Sequence, residues 1–266
     1  MIRSVDYDSV AIQFDKRYER SDYRPVWKLL IGYLRGAQGP ILEVGCGTGH
    51  WLKEIERLNI PTVGIDPSRN MLEAACKKQS GAAIIQGEAE HLPGKDNSFD
   101  RLFCVNSFHH FQDKERFVAE AARVLRPRGK ILIVGLDPHN GLDQWWVYDY
   151  FPQVVRIDKE RYPSTEAIRD MLGSHGFADC QTEVALHFPD RLPARTALET
   201  GRLAKTTTSQ LTVLTDAEYK EGIGRLVKAI EAAEARGEML VIGADLRVYA
   251  TTAQRMASLV NIRPLP

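Results

Sequence analysis

The sequence predicts an α/β fold, a doubly wound parallel sheet with helices on both faces. Three observations carry that prediction. Short apolar strand-like runs alternate with helix-like patterns through five strands, the first run stops in a Gly45-x-Gly47-x-Gly49 turn, and the second ends in Asp66.

The first strand is the apolar run Ile41, Leu42 and Val44, and a helical pattern (Trp51 or Leu52, Ile55, Leu58) follows the glycines. Glycine accepts positive φ and lets a ligand approach the backbone, while the helix start behind it offers unpaired N–H groups. Such a turn suits a nucleotide-like ligand. The second strand, Thr62 to Ile65, ends in Asp66, where a carboxylate is placed to accept hydrogen bonds from ribose hydroxyls.

Pro67 to Leu72 opens a helix with Met71, Leu72, Ala75 and Cys76 on one face, and Met71 reads as a core residue that also touches a base. The third strand, Ala82 to Gln86, leads into Gly87-Glu88-Ala89-Glu90 at the carboxyl edge of the sheet, and Glu88 is a candidate partner for an exocyclic amine. The fourth, Arg101 to Asn106, runs into Ser107-Phe108-His109-His110. Adjacent histidines point in different directions and no third ligand stands at a known spacing, so a metal centre is not expected. His109 is the candidate to face substrate as a base, and His110 the one to pack.

Asp113 caps the next helix, and Lys130 to Val134 is the fifth strand. Ser164 starts a further helix, Asp179 to Phe188 reads as a sixth strand, and Leu246 to Thr252 as a last one. Between them Thr215-x-x-Glu218 is a capping box for a long helix that ends at Gly237. The expected organisation is an N-terminal helical cover over 1–36, a core over 37–189 and 241–260, and a helical lid insertion over 190–240. Aromatics in the cover (Tyr7, Phe14, Tyr18, Tyr23, Trp27, Tyr33) either pack it onto the core or cover the ligand, with Tyr18 a candidate for the pocket wall. Trp145 and Trp146, after the fifth strand, have the same two readings.

Composition excludes several classes. Thirty-five Lys and Arg balance 35 Asp and Glu with no long basic block, which disfavours nucleic acid as a partner. The 44% hydrophobic content suffices for a large core. Four scattered cysteines read as reduced thiols of a cytoplasmic protein, and the chain has neither a signal-like N-terminus nor a membrane-length apolar run.

Six ordered blocks resemble the Rossmann-like, class I S-adenosylmethionine-dependent methyltransferases, in the small-molecule branch of the ubiquinone and menaquinone enzymes. They are Tyr7-Asp8-x-x-Ala11-x-x-Phe14-Asp15, Glu43 to Gly49, Asp66-Pro67-Ser68-x-x-Met71-Leu72, Gly87 to Pro93, Ser98-Phe99-Asp100, and Arg123 to Lys130. The resemblance implies a mostly parallel seven-stranded sheet whose last strand, at Leu246 to Thr252, is antiparallel. It implies S-adenosyl-L-methionine as cofactor and a methyl acceptor as substrate, while the neutral chain and its aromatic-rich lid are what favour a small molecule as that acceptor.

Carried over by position, it assigns cofactor binding to Glu43, Gly45, Cys46, Gly47, Gly49, Asp66, Pro67, Met71, Glu88, Ala89, Glu90 and Asn106. The glycine turn would approach the methionine part, Glu88 and the Ala89 backbone would read the adenine edge, and Asn106 would lie beside the methionyl end. Two residues depart from the pattern, Glu88 where Asp is usual and Arg128 where Gly is frequent. The implied reaction is an in-line displacement, with His109 assisting deprotonation and Tyr18, Trp145 and Trp146 lining the pocket. Rival readings are an RNA or protein methyltransferase, a non-catalytic cofactor-binding protein, and an NAD-dependent oxidoreductase. The last would need Gly-x-Gly-x-x-Gly, whereas position 50 is His.

Overall fold

The computed structural model describes Asp15, Tyr18, residues 22–78 and residues 81–257. Most of the expected N-terminal cover, Tyr7 and Phe14 included, and residues 258–260 of the expected core lie outside the described residues.

After α1 (Arg24–Leu34), with Pro25 in its first turn, the chain alternates through β1 (Ile41–Val44), α2 (His50–Ile55), β2 (Thr62–Asp66), α3 (Arg69–Lys77), β3 (Ala83–Gln86), β4 (Phe99–Val105), α4 (Lys114–Val124) and β5 (Leu125–Leu136). Then come β6 (Gln144–Trp145), α5 (Trp146–Tyr150), α6 (Gln153–Arg161), α7 (Thr165–Ser174), β7 (Phe177–Pro193), α8 (Ala194–Glu199), α9 (Ser209–Thr212), α10 (Asp216–Glu234) and β8 (Val241–Arg255).

The sheet order is β3-β2-β1-β4-β5-β8-β6, with β7 also paired to β8. β1 to β5 are parallel and β8 runs antiparallel to β5, β6 and β7. Relative to expectation the sheet gains the two-residue β6, and the two late strands are longer, because they continue as a paired ribbon: Phe177 is opposite Arg255 and Pro193 opposite Val241.

Side-chain alternation sorts the strands between two cores. Leu102, Cys104, Ile131 and Ile133 face α4 and α7 residues such as Phe117, Ala121, Ile168 and Leu172. Their neighbours Phe103, Val105, Leu132 and Val134 face Val26 and Leu30 of α1 and Trp51 and Ile55 of α2. A third core joins α5, α6, α8, α9 and α10 over the far end of the ribbon. Sequence-legible caps set the helix starts: Asp113 accepts from the Arg116 amide, Ser164 from Ala167, and Thr215 and Glu218 form the capping box. No helix among the described residues is long and apolar enough to cross a membrane.

Candidate active site

The carboxyl ends of β1, β2 and β4 and the loop after β3 surround a cavity of about 330 Å³. Parallel strands put those ends on one edge, which is why residues far apart in sequence meet there. Its wall includes Tyr18, Glu43, Gly45, Cys46, Gly47, Asp66, Pro67, Met71, Glu88, Ala89, Glu90 and Asn106, together with Trp51, Ile65, Ser107, His110, Phe111 and Gln112.

Two glycines of the turn have distinct reasons. Gly45 has φ +73°, and a Cβ there would run into the Ser107 side chain, within 2.7 Å of its Oγ. That hydroxyl donates to the Val44 carbonyl (2.8 Å), so the ends of β1 and β4 are pinned together at the site. Gly49 (φ +71°) lies against Ala75 of α3, where a Cβ would come within 3.0 Å of the Ala75 Cβ. Gly49 therefore packs helix against helix rather than lining the cavity. Asn106 takes φ +53°, a left-handed conformation that asparagine tolerates, and turns the chain at the end of β4.

Asp66 is held by two backbone amides, Gly47 to Oδ2 and Ser68 to Oδ1, both at 2.9 Å. A carboxylate has about four acceptor sites, and the two amides fix the orientation of this one. Ser68 also caps α3 through the Met71 amide (3.2 Å), and that cap seats the buried Met71 in the wall.

Glu43 is 1% exposed, and its Oε2 has no hydrogen-bond partner among the described residues. Burial pushes its carboxyl well above the usual range, the neighbouring Asp66 adds to the shift, and Lys78 opposes it. Lys78 is itself tied to Asp15 (2.8 Å), whose other oxygen accepts from Thr48 Oγ1 (2.5 Å). Burial likewise raises the Cys46 thiol, with Glu43 adding to the effect, so this residue is a neutral wall element and not a nucleophile.

The loop after β3 is fastened from behind. Glu120 of α4 accepts from the Leu92 amide (3.0 Å) and is bridged to Arg123 (2.8 Å). Glu90 Oε1 accepts from the Gln112 and Asp113 amides at 2.7 and 3.0 Å. Glu90 thus clamps the loop to the turn before α4, while Glu88 stands at the rim with its side chain 70% exposed.

On the opposite wall Tyr18 stacks on His50 (centroids 3.5 Å apart, planes 4°) and packs edge-on against Trp51. Trp51 and Ile65 reach the wall without having been singled out in the sequence; each belongs to a periodic apolar run and carries no other signal.

Besides Gly49, which was expected to bind cofactor, three expectations need correction. His109 is turned from the cavity: it is 6% exposed, stacks on Tyr162 at 3.9 Å, and borders a separate void of about 20 Å³ with Tyr162, Thr165 and Tyr249. The wall takes His110 instead, because successive residues of the 3-10 turn Phe108–His110 point about a third of a turn apart. Trp145 and Trp146 do not reach the wall either. Both are buried in the helical core, against Tyr148 and Phe151 respectively, because β6 pairs Trp145 with Ala244 of β8 and α5 starts directly behind it, within the layer that covers the ribbon end.

The family model described as a methyltransferase domain matches residues 42–133, the span from β1 into β5 that builds this cavity. An uncharacterized protein of Methanocaldococcus jannaschii is 30% identical over 175 residues, which are 64% of this chain and 80% of that one. A phthiotriol/phenolphthiotriol dimycocerosates methyltransferase of Mycobacterium ulcerans is 31% identical over 175 residues, 62% of this chain. The chain spans 64% of that mycobacterial relative, less than two thirds of its length. Among solved structures, a putative methyltransferase from an antibiotic biosynthesis pathway of Anabaena variabilis superposes with TM-score 0.63 at 20% identity, over 87% of this chain and 99% of its own, a likeness of fold. With the glycine turn, the amide-held Asp66 and the strand order in place, the chain belongs to the Rossmann-like, class I S-adenosylmethionine-dependent methyltransferases.

Proposed function

We propose that this chain transfers the methyl group of S-adenosylmethionine to a small-molecule acceptor. The observation that carries the reading is the pairing of two acids on one cavity wall: Asp66, oriented by two amides, and Glu43, buried with Oε2 unpartnered among the described residues. An adenosyl amino acid presents the two groups those acids call for, a ribose diol and an ammonium.

In this reading Asp66 accepts from the ribose hydroxyls and Glu43 receives the ammonium. Met71 and Ile65 pack against the adenine, and Glu88 with the Ala89 amide meets its polar edge. Cys46, Pro67 and the Gly45–Gly47 part of the turn shape the wall, Glu90 keeps the adenine loop in position, and Asn106 stands at the methionyl end. When bound, S-adenosylmethionine supplies a methyl group on a sulfonium, an already activated leaving group. The chain's work is then alignment and exclusion of water, which can supply roughly 7–11 kcal/mol of a barrier. Tyr18 and Trp51 contribute aromatic faces that exclude water and attract a cation.

A small acceptor fits a neutral chain better than RNA does, since RNA would call for a basic groove. Helices α5, α6 and α8 to α10 would serve as the cover that defines it, over the expected 190–240 insertion and the segment after β5. The four cysteines, all free thiols, support a reducing cytoplasmic setting.

Calorimetric titration with S-adenosylmethionine, S-adenosylhomocysteine and NAD tests the reading. Saturable binding of the two adenosyl-sulfur ligands is expected, weakened by at least about tenfold in Asp66→Ala, the loss of charge-assisted hydrogen bonds worth roughly 1.5–3 kcal/mol. Binding of NAD alone would sink it.

A further inference from the structure

Behind His110, where the cavity meets the helical layer, lies a buried arginine. Arg161 ends α6 with its side chain 1% exposed, and its Nη2 stands 3.4 Å from His110 Nδ1. A guanidinium has only N–H groups to give and stays charged. His110 Nδ1 is therefore the acceptor in this contact, and the neutral ring carries its proton on Nε2.

The charge of Arg161 is incompletely balanced. Its Nη1 makes no hydrogen bond among the described residues, and the nearest acid, Asp158, is 3.6 Å away. Burial raises the Asp158 carboxyl to about 7, against the opposing effect of Arg161, so near neutrality the counter-charge is present in only part of the molecules. Lys114 adds a second cation. Its amine donates to the Phe111 carbonyl (3.0 Å) and is held below its usual range by burial and then by Arg161. The acid facing these cations from the cavity is Glu90, which accepts from the Gln112 and Asp113 amides and sets one negative charge against the two cations. The wall at His110 thus joins a hydrogen-bond donor to excess positive charge in a low-dielectric setting, where such a pair acts strongly.

We propose that His110, backed by Arg161 and Lys114, is an oxyanion subsite at the acceptor end of the cavity, so that the methyl acceptor presents a carboxylate, phenolate or enolate oxygen to His110 Nε2–H. The proposal rests on the methyl-transfer reading. Arg161 is a positioning residue: it fixes the histidine as a donor, which makes His110 an anchor rather than a base. The acceptor is accordingly one that arrives ionised.

Matched probes test this on protein saturated with S-adenosylhomocysteine: benzoate against benzamide, and para-nitrophenolate against para-nitroanisole. At least one anion is expected to bind about tenfold or more tighter than its neutral partner, and which pair shows the preference separates a carboxylate from a phenolate acceptor. The preference should fall to about twofold or less in Arg161→Gln and in His110→Ala, the second variant covering the case in which a buried arginine is needed for folding. Nitrogen-15 spectra should show the Nε2-protonated tautomer of His110 in the wild type and a mixture in Arg161→Gln, a signature that a purely structural arginine would not move. Retained S-adenosylhomocysteine binding with equal affinity for anion and neutral partner, or with binding of no probe, overturns the oxyanion subsite alone. Failure to bind S-adenosylhomocysteine overturns the methyl-transfer reading beneath it.

Discussion

Glu43 combines near-complete burial with a carboxyl held above its usual range, a state that favours the protonated acid in the free protein. An ammonium brought to Oε2 reverses that preference, because an opposite charge within contact favours the carboxylate. Binding of S-adenosylmethionine should therefore release a proton from Glu43 at pH values between its free and bound ionisations. Calorimetry in buffers of different ionisation enthalpy reads that proton directly. In Glu43→Gln the release should vanish and affinity fall by about tenfold, or about 1.4 kcal/mol; unchanged proton release in the variant would remove Glu43 from this role. The residue types at this site were legible in the sequence because the glycine frame, Asp66 and the Glu88 loop each mark a strand end. The choice between His109 and His110 was not, since nothing in two identical neighbours states how a 3-10 turn is phased against the sheet.

At the scale of elements, the parallel half of the molecule was readable because each strand is short, apolar and followed by a capped helix. The ribbon of β7 and β8 was under-read where it leaves the sheet: Val241 (47% exposed) faces solvent at the start of β8 and prolines stand at 189 and 193 of β7, so the alternation that marks a half-buried strand fades there. The tryptophans after β5 were ambiguous for a related reason, as an aromatic pair signals burial without saying against what. The packing of α10 gives a decisive case. Gly222 lies inside that helix, where alanine would ordinarily stabilise by about 0.5–1 kcal/mol. Here a Cβ would fall on the Phe151 ring, with even the more distant Cζ at 2.7 Å. Phe151 is fully buried in the helical core and has nowhere to move. Gly222→Ala should thus destabilise, by about 1–3 kcal/mol as overpacking does, measured by denaturant unfolding. A gain in stability would show that α10 does not seat on Phe151.

Across the whole molecule, two cores sandwich the sheet and the third belongs to the helical layer, and the layer carries its charge inside. Asp158 is fully buried between Tyr148, which donates to its Oδ2 at 3.0 Å, and Arg161. Burial is the larger influence and lifts its carboxyl from 3.8 to about 7. The folded protein therefore holds a proton on Asp158 that the unfolded chain has already released, throughout the interval from about 4 to about 7. Where the native state binds more protons, stability falls as pH rises. The contribution of Asp158 is fully present below about pH 4, declines on the way to about pH 7, and is flat above it, a total on the order of 4 kcal/mol. Other carboxyls slope the opposite way: Glu120 is held low by Arg123, and the wild-type curve alone would mix the two. The difference between wild type and Asp158→Asn isolates the effect, because the amide resembles the protonated acid in shape and charge at every pH. Urea unfolding of both proteins from pH 4 to pH 8 should show the wild type losing ground steadily to the variant up to about pH 7 and holding a constant difference beyond. A difference that stayed flat across the whole range would mean that Asp158 remains ionised beside Arg161, and the positive charge behind His110 would then be fully balanced at neutral pH.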